Sequence, residues 1–518
     1  MSAPAGLASI DGFMQHWVAE RPDAVILEDE AESLTFAQSE ELGRRIVAAL
    51  ASAGVGKGDR IAWLGKNALL YFQLLFSAGR AGVVTVPIGW RLAVPEVEYV
   101  LRDTGAKLLF AGEGFEDAAR EAAANLADPP RVVPIAEAHA WFAAAPADPF
   151  EPAAPEDAVL QLYTSGTTGN PKGAVLSARN LFGLRAAAAT AELPWQEYSD
   201  DEAILVCMPC AHIGGTGLGV MSLGAGIRGI VQTEFTPDGC LTALGQGITR
   251  FFIVPAALQM VIQHPRANTT DFSKLKYVMY GAAPIPLELL RQAVETIPNA
   301  DFLQCYGMTE TTGTVAMLGP EDHTLDGNPR MRSAGRALPG VEIKIADEDG
   351  NELPRGEVGE IVTRSSSNML GYWNLPEATA ATLSADNWVR TGDAAYMDPD
   401  GYIYIQDRMK DMIISGGENV YPAEVESAIY GHPDVAEVAV IGIPDDKWGE
   451  AVKACVVAKP GHTVDAESVI EWTRGRIAGF KVPKSIDLIP ELPRNPSGKI
   501  LRRQLREPYW EGRERRVN

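Results

Sequence analysis

The sequence predicts an α/β protein with a large N-terminal part and a small C-terminal one, on three observations. The chain has 518 residues, beyond the roughly 250–300 at which a single core stops growing. Stretches reading strand, helix, strand recur along its first two thirds, the mark of parallel sheets covered by helices. After about residue 335 the texture turns to short alternating strands, and a last unit of about 110 residues, the size of a small domain, begins near Asp407.

The elements follow in order. Arg60–Leu64 reads as a strand, the apolar stretch through Phe72 to Ala81 as a helix, and Val83–Pro87 as the next strand. Ala and Pro dominate from Ala127 to Pro155, which predicts a surface connection between two α/β subdomains. Lys276–Tyr280, Pro286–Thr296 and Asp301–Cys305 repeat the strand, helix, strand order. Val341–Ile345 and Glu360–Thr363 flank the turn signal Asp349-Gly350-Asn351, which predicts a hairpin. The last unit carries strands at Ala436–Gly442 and Ala451–Ala458 and a helix around Ser468–Ile477.

Composition bounds the function. With 46% hydrophobic and 22% charged residues the chain is globular rather than disordered, and its net charge of −23 opposes nucleic acid as a partner. Leu69–Trp90 is the most apolar stretch, but Gln73 and Arg80 interrupt it, so no integral membrane segment is expected. The start of the chain lacks the pattern of a signal peptide, and five scattered cysteines suit a reducing compartment, so a cytoplasmic protein is expected. The lone pair Cys207 and Cys210 has no partner pair for zinc and reads as small buried residues.

Tyr163-Thr-Ser-Gly-Thr-Thr-Gly-Asn-Pro-Lys-Gly173 is the strongest local signal. Its glycines let backbone N–H groups turn toward phosphate oxygens, while the hydroxyls and Lys172 add donors and positive charge. Pro171 and Gly173 stand where a Walker A loop needs Gly and Ser or Thr, so a P-loop kinase is excluded. Gly281-Ala-Ala-Pro284, Tyr306-Gly-Met-Thr-Glu310 and Thr391-Gly-Asp393 have the composition of site loops at strand ends.

With Asp407-Arg-Met-Lys410, Ser415-Gly-Gly-Glu-Asn419 and Asn495-Pro-Ser-Gly-Lys499, these segments in this order resemble the acyl-adenylate-forming superfamily from about residue 10 to 505. Trp90-Arg-Leu92 and Met412–Pro422 are most similar to bacterial fatty-acyl-CoA synthetases. The resemblance implies an AMP-binding domain of residues 1–408, made of two α/β subdomains and a distorted β-barrel, and a mobile α+β domain of residues 409–518. It implies two half-reactions: carboxylate plus ATP gives acyl-AMP and pyrophosphate, then the thiol of coenzyme A releases AMP and forms the thioester. A free carboxylate is anionic and has a poor leaving group, and adenylation removes both obstacles.

The same resemblance implies residue roles. Lys499 would bridge the attacking carboxylate and the α-phosphate, where a cation stabilises developing charge. Glu310 would hold Mg²⁺, Thr309 would hydrogen-bond the α-phosphate, and Thr164, Ser165, Gly166, Thr167, Thr168 and Lys172 would surround the polyphosphate. Tyr306, Gly307, Gly281, Ala282 and Ala283 would enclose the adenine, with Asp393 and Arg408 on the ribose. Lys410 would be the hinge, Ser415, Gly416 and Gly417 would line the pantetheine tunnel, and His212 would gate the acyl site. The acyl pocket is expected from Ile213–Gly217, Phe251–Ala257 and Gly281–Ala283, with Gly214, Gly215 and Gly281 leaving room for a long or bulky tail.

The expected activity is ATP-dependent ligation of a fatty or other hydrophobic acid to CoA. The alternatives are an acyl-AMP ligase loading a separate carrier protein and a catalytically silent nucleotide-binding relative. Only 19 residues follow Lys499, too few for a fused carrier, and the presence of Lys499, Glu310 and Asp393 together disfavours a silent relative. From Lys499 onward seven basic residues face three acidic ones; this tail could meet a membrane surface peripherally, although a solvated tail is the plainer expectation.

Overall fold

The computed structural model describes residues 3–4, 6–164, 170–191, 193–325, 327–416, 418–494 and 500–511, without the Lys410 side chain. Its strands form two mostly parallel sheets of nine and seven strands, a four-stranded antiparallel sheet, and a five-stranded sheet in the small C-terminal domain.

Arg60–Leu64 is wholly buried in the seven-stranded sheet, parallel to Val84–Ile88 on one side and Leu108–Ala111 on the other. A strand covered on both faces needs no polar face, hence its apolar run. The helix that follows it, Leu69–Arg80, is buried all round. Its polar residues are satisfied internally: Gln73 and Ser39 exchange hydrogen bonds at 2.9 and 3.1 Å, and Arg80 pairs with Asp11 at 2.7 Å and Glu40 at 2.5 Å. Among the described residues no helix is long and apolar enough to cross a membrane.

Residues 127–155 differ from the surface connection expected of them. They contain the strand Arg131–Pro134, which extends the seven-stranded sheet, and the helix Ile135–Ala144, whose Phe142 is fully buried. The following strand, Ala158–Thr164, belongs to that same sheet, so no subdomain boundary falls here. Alanine explains the misreading, because small residues suit a surface helix, anchored here by Ala138 and Phe142, as well as a linker.

In the nine-stranded sheet Ala203–Val206, Arg250–Ile253, Tyr277–Gly281 and Asp301–Met308 lie side by side in parallel, and Gly313–Leu318 returns antiparallel. The helix Ile213–Ala225 joins the two large sheets. A Cβ at its Gly219 would lie 2.2 Å from the Phe72 ring, and its Thr216 hydroxyl is 2.6 Å from that of Tyr71. One continuous core therefore runs through both sheets and fixes their relative position.

The predicted hairpin strands do pair, as Glu342–Ala346 with Gly359–Arg364, and with Trp388–Met397 and Ile403–Arg408 they complete the four-stranded sheet. The Asp349-Gly350-Asn351 turn folds back on the first strand through an Ala346–Glu352 bridge instead of linking the two directly. In the C-terminal domain Val435–Asp445 pairs with Gly449–Ala458, and the helix predicted to Ile477 spans Ala466–Arg474, ending before Gly475. All five cysteines are buried and unbridged.

Candidate active site

Two neighbouring parallel strands open the site at their carboxyl ends, the usual ligand-binding position of an open α/β sheet. Tyr277–Gly281 runs into Ala282, held at φ 64°, and Asp301–Met308 runs into the turn Thr309–Thr311. A non-glycine residue at positive φ persists only where its surroundings fix it, and such residues cluster at functional sites. Gly281 itself is required by packing: a Cβ there would lie 2.0 Å from the Cys305 carbonyl oxygen. Gly307 is similar, its Cβ falling 1.8 Å from the Gly313 carbonyl oxygen.

These distances correct the expected source of room for an acyl tail. The adjacent strand fills the space at Gly281, the Pro209 and Met208 carbonyl oxygens stand 2.3 and 2.4 Å from a Cβ at Gly215, and the Phe252 ring lies 3.0 Å from one at Gly214. Gly217, one turn along the same helix, alone of these faces open space, with nothing within 4 Å.

Glu310 lies in the turn and is 5% exposed. Its Oε1 accepts from the Tyr372 hydroxyl at 2.7 Å and the Thr164 hydroxyl at 3.3 Å, and its carbonyl accepts from the Met369 amide at 2.8 Å. Thr164 ends one strand of the seven-stranded sheet opposite Lys172, which begins the next, and the Lys172 Nζ stands 5.1 Å from the centre of the Tyr372 ring. The two large sheets thus meet at one carboxylate. Burial and the Glu310 charge push the Tyr372 phenol well above its ordinary range, so it remains a donor.

Asp393 comes from the four-stranded sheet. Thr391 to Asp393 lie inside the strand Trp388–Met397, within an antiparallel pairing, rather than in a loop after a parallel strand as expected. Asp393 stands directly opposite Arg408, whose Nε is 2.7 Å from Oδ1, while the Tyr306 hydroxyl donates to Oδ2 at 2.7 Å. Burial lowers the Arg408 pKa, but the charges of Asp393, Tyr306, Glu310 and Asp411 together outweigh it and hold the guanidinium above its ordinary range.

His212 precedes the helix Ile213–Ala225, and its Nε2 is buried without a hydrogen-bond partner among the described residues. Burial, with the Arg91 charge, pulls its pKa down to about 4, so the ring is neutral at physiological pH. In the C-terminal domain Ser415 is buried, and Gly416 donates its amide to the Trp448 carbonyl at 2.8 Å beside the indole. Lys410 lies in the turn Met409–Asp411. Ser165, Gly166, Thr167, Thr168, Gly417 and Lys499 lie outside the described residues. Arg494 and Ile500, bridged to each other on either side of 495–499, face Ala282 and Ala283 across a mainly apolar cleft of about 200 Å³ between the C-terminal domain and the nine-stranded sheet.

Two groups escaped the sequence reading. Tyr372 sits in Gly371-Tyr372-Trp373, a segment with no evident chemical signature. Asp407 was legible only as the neighbour of Arg408. It accepts from the Arg408 amide at 2.6 Å and, across the domain boundary, from the Ala423 amide at 2.9 Å. Burial pushes its pKa up to about 6, with Arg502 lowering and Glu426 raising it.

Comparison with known proteins identifies the family. The profile of the AMP-binding enzyme family matches residues 14–373, and that of the AMP-binding enzyme C-terminal domain matches residues 424–499. The chain is a member of the adenylate-forming acid ligases. Within this family it is 41% identical over 494 residues to a fatty acid–[acyl-carrier-protein] ligase of Streptomyces coeruleorubidus, covering 94% of each chain. It is 39% identical over 493 residues to a feruloyl-CoA synthase of Amycolatopsis, covering 94% of this chain and 96% of the other. ATP-bound MatB from Rhodopseudomonas palustris superposes with a TM-score of 0.86 at 30% identity, covering 96% of this chain and 98% of the other. A ligase of this family uses ATP and an acid substrate. The residues present also suit Mg²⁺, which favours oxygen ligands and is usually held by one or two carboxylates plus substrate phosphates. Glu310 with the Thr164 hydroxyl is such a set, and among the described residues no group of three His, Cys, Asp or Glu could hold a metal ion.

Proposed function

We propose that the protein is an ATP-dependent acid:CoA ligase that converts a fatty or other hydrophobic carboxylic acid to its thioester through acyl-AMP. The observation that carries this reading is the convergence of Tyr306, Asp393 and Arg408 on one side and Glu310 with Thr164 on the other, two halves of a nucleotide site linked by one strand and turn.

In this reading Asp393 accepts from both ribose hydroxyls, already oriented by Tyr306 and Arg408. Ala282 and Ala283 lie along the purine, Thr309 donates to the α-phosphate, and Lys172 with the loop 164–168 neutralises the outer phosphates. Bound at Glu310, Mg²⁺ would offset phosphate charge as pyrophosphate leaves. Lys499 aligns the carboxylate with the α-phosphate, and the positions of Arg494 and Ile500 beside Ala282 and Ala283 support an adenylate-forming arrangement. Rotation at Lys410, between domains 1–408 and 409–518, would then bring Ser415, Gly416 and Gly417 to the pantetheine. His212, neutral and unpartnered, acts as a gate rather than a base. The composition supports a cytoplasmic site of action.

A second reading, transfer to a carrier protein, is favoured by the carrier-protein ligase relative at 41% identity. Incubating acids with ATP and either CoA or a phosphopantetheinylated carrier, and measuring AMP and thioester, separates the two. Turnover with CoA supports the proposal, and turnover with carrier alone replaces it by the second reading.

A further inference from the structure

Glu310 presents its two carboxylate oxygens differently. Oε1 takes both hydroxyls, Tyr372 at 2.7 Å and Thr164 at 3.3 Å, while among the described residues no group donates to Oε2. The phenol is set by sheet rather than by loop. Tyr372 pairs with Ala174, its amide donates to the Thr379 hydroxyl at 2.9 Å, and the next amide, of Trp373, donates to the Gly173 carbonyl at 2.8 Å. The electron-rich face of the same ring lies 5.1 Å from the Lys172 ammonium. A hydrogen bond to one oxygen of a carboxylate fixes the plane of both and so aims the free one.

We infer that Tyr372 is a positioning residue for the divalent cation: its hydroxyl pins Glu310 Oε1 and leaves Oε2 as the oxygen offered to Mg²⁺, while its ring holds Lys172 beside it. The inference rests on the reading of Glu310 as the Mg²⁺ ligand. Residues that orient a metal ligand through hydrogen bonds typically change metal affinity by ~10- to 100-fold when removed. Tyr372→Phe keeps the ring and deletes only the donor.

The test is binding, not turnover. Wild type, Tyr372→Phe and Glu310→Gln are titrated with Mg²⁺ at fixed α,β-methylene-ATP, with metal-free AMP affinity measured for each as a control for the nucleotide site. The expected result is a half-saturating Mg²⁺ concentration raised about 10-fold or more in Tyr372→Phe, with AMP affinity unchanged. If Glu310→Gln shifts the Mg²⁺ curve and Tyr372→Phe does not, the role of Tyr372 is overturned while that of Glu310 stands. If neither variant shifts it, the Glu310 reading falls and the inference with it. Loss of AMP affinity in Tyr372→Phe would make the tyrosine a structural residue and equally overturn the inference.

Discussion

Two regions of the molecule bury carboxylates, and they treat them in opposite ways. At the proposed nucleotide site Glu310 and Asp393 are 5% and 7% exposed. Each is oriented by a few directed contacts: two hydroxyls on one oxygen of Glu310, and one phenol and one guanidinium on Asp393. At the domain boundary the carboxylates of Asp407 and Glu426 are held by backbone amides and an arginine. Asp407 takes two backbone amides, and Glu426 takes the Val440 amide at 2.7 Å and Arg502 through both oxygens. The first pair is held by side chains alone, whereas the second is held by backbone amides and a bidentate arginine that tie two elements together. Leaving a buried charge short of partners costs stability unless a ligand arrives, so the kind of partner a carboxylate has separates the two regions better than burial does.

The largest expected effect that could break this contrast is at Asp393. Asp393→Asn removes the charge proposed to accept the ribose hydroxyls and deprives Arg408 of its paired carboxylate. Hydrogen bonds to a charged group are worth about 1.5–3 kcal/mol each, so AMP affinity measured by calorimetry should fall roughly 100-fold or more. A change under about fivefold would mean that the Tyr306–Asp393–Arg408 contacts serve the fold alone.

Next in size is the backbone on which the open site rests. Gly281→Ala places a methyl against the Cys305 carbonyl oxygen, and overpacking of this kind costs about 1–3 kcal/mol. Urea denaturation should show that loss, with the preference among acids of different length unchanged. A selective loss of long acids would restore Gly281 to the acyl pocket. Gly217→Ala should cost far less, because its Cβ meets nothing within 4 Å.

The last effect tests the domain boundary and appears only as a pH dependence. Asp407 is raised from 3.8 to about 6 on folding. The folded protein therefore holds this proton more tightly than the unfolded chain does, and its contribution to stability falls as pH rises from about 4 to 6. Asp407→Asn carries no such titration. The stability of wild type relative to Asp407→Asn should drop by about 1–3 kcal/mol between pH 4.5 and 7. A difference that ignores pH, or that moves the other way, would contradict the assignment of a buried, unfavourably placed charge.

How much of this was legible in the sequence follows the same division. Arg60–Leu64 and the strand ending at Gly281 were readable because buried parallel strands are largely apolar runs, and Asp301–Met308 because Phe302 and Leu303 begin a short apolar stretch after a helix. Glu310, Asp393, Arg408 and Lys172 stand in motifs whose order survives in one dimension. Tyr372 does not: its role is a contact across 62 residues, and a tyrosine in a short edge strand carries no local sign of it. The glycines misled for a related reason. Sequence shows that a side chain is missing but not what occupies its place, and at Gly281 and Gly215 that is backbone. The alanines of 135–144 hid a helix that the sheet anchors through Ala138 and Phe142.

The central claim is acid activation followed by transfer to CoA, and a rapid-quench experiment reaches it most directly. With acid and ATP alone, the account predicts pyrophosphate and an enzyme-bound acyl-AMP in amounts near that of the enzyme. Addition of CoA should then discharge the adenylate to free AMP and acyl-CoA and start multiple turnovers, more efficiently than a phosphopantetheinylated carrier does. Pyrophosphate release that no carboxylic acid stimulates, or an adenylate that only the carrier protein discharges, would contradict it.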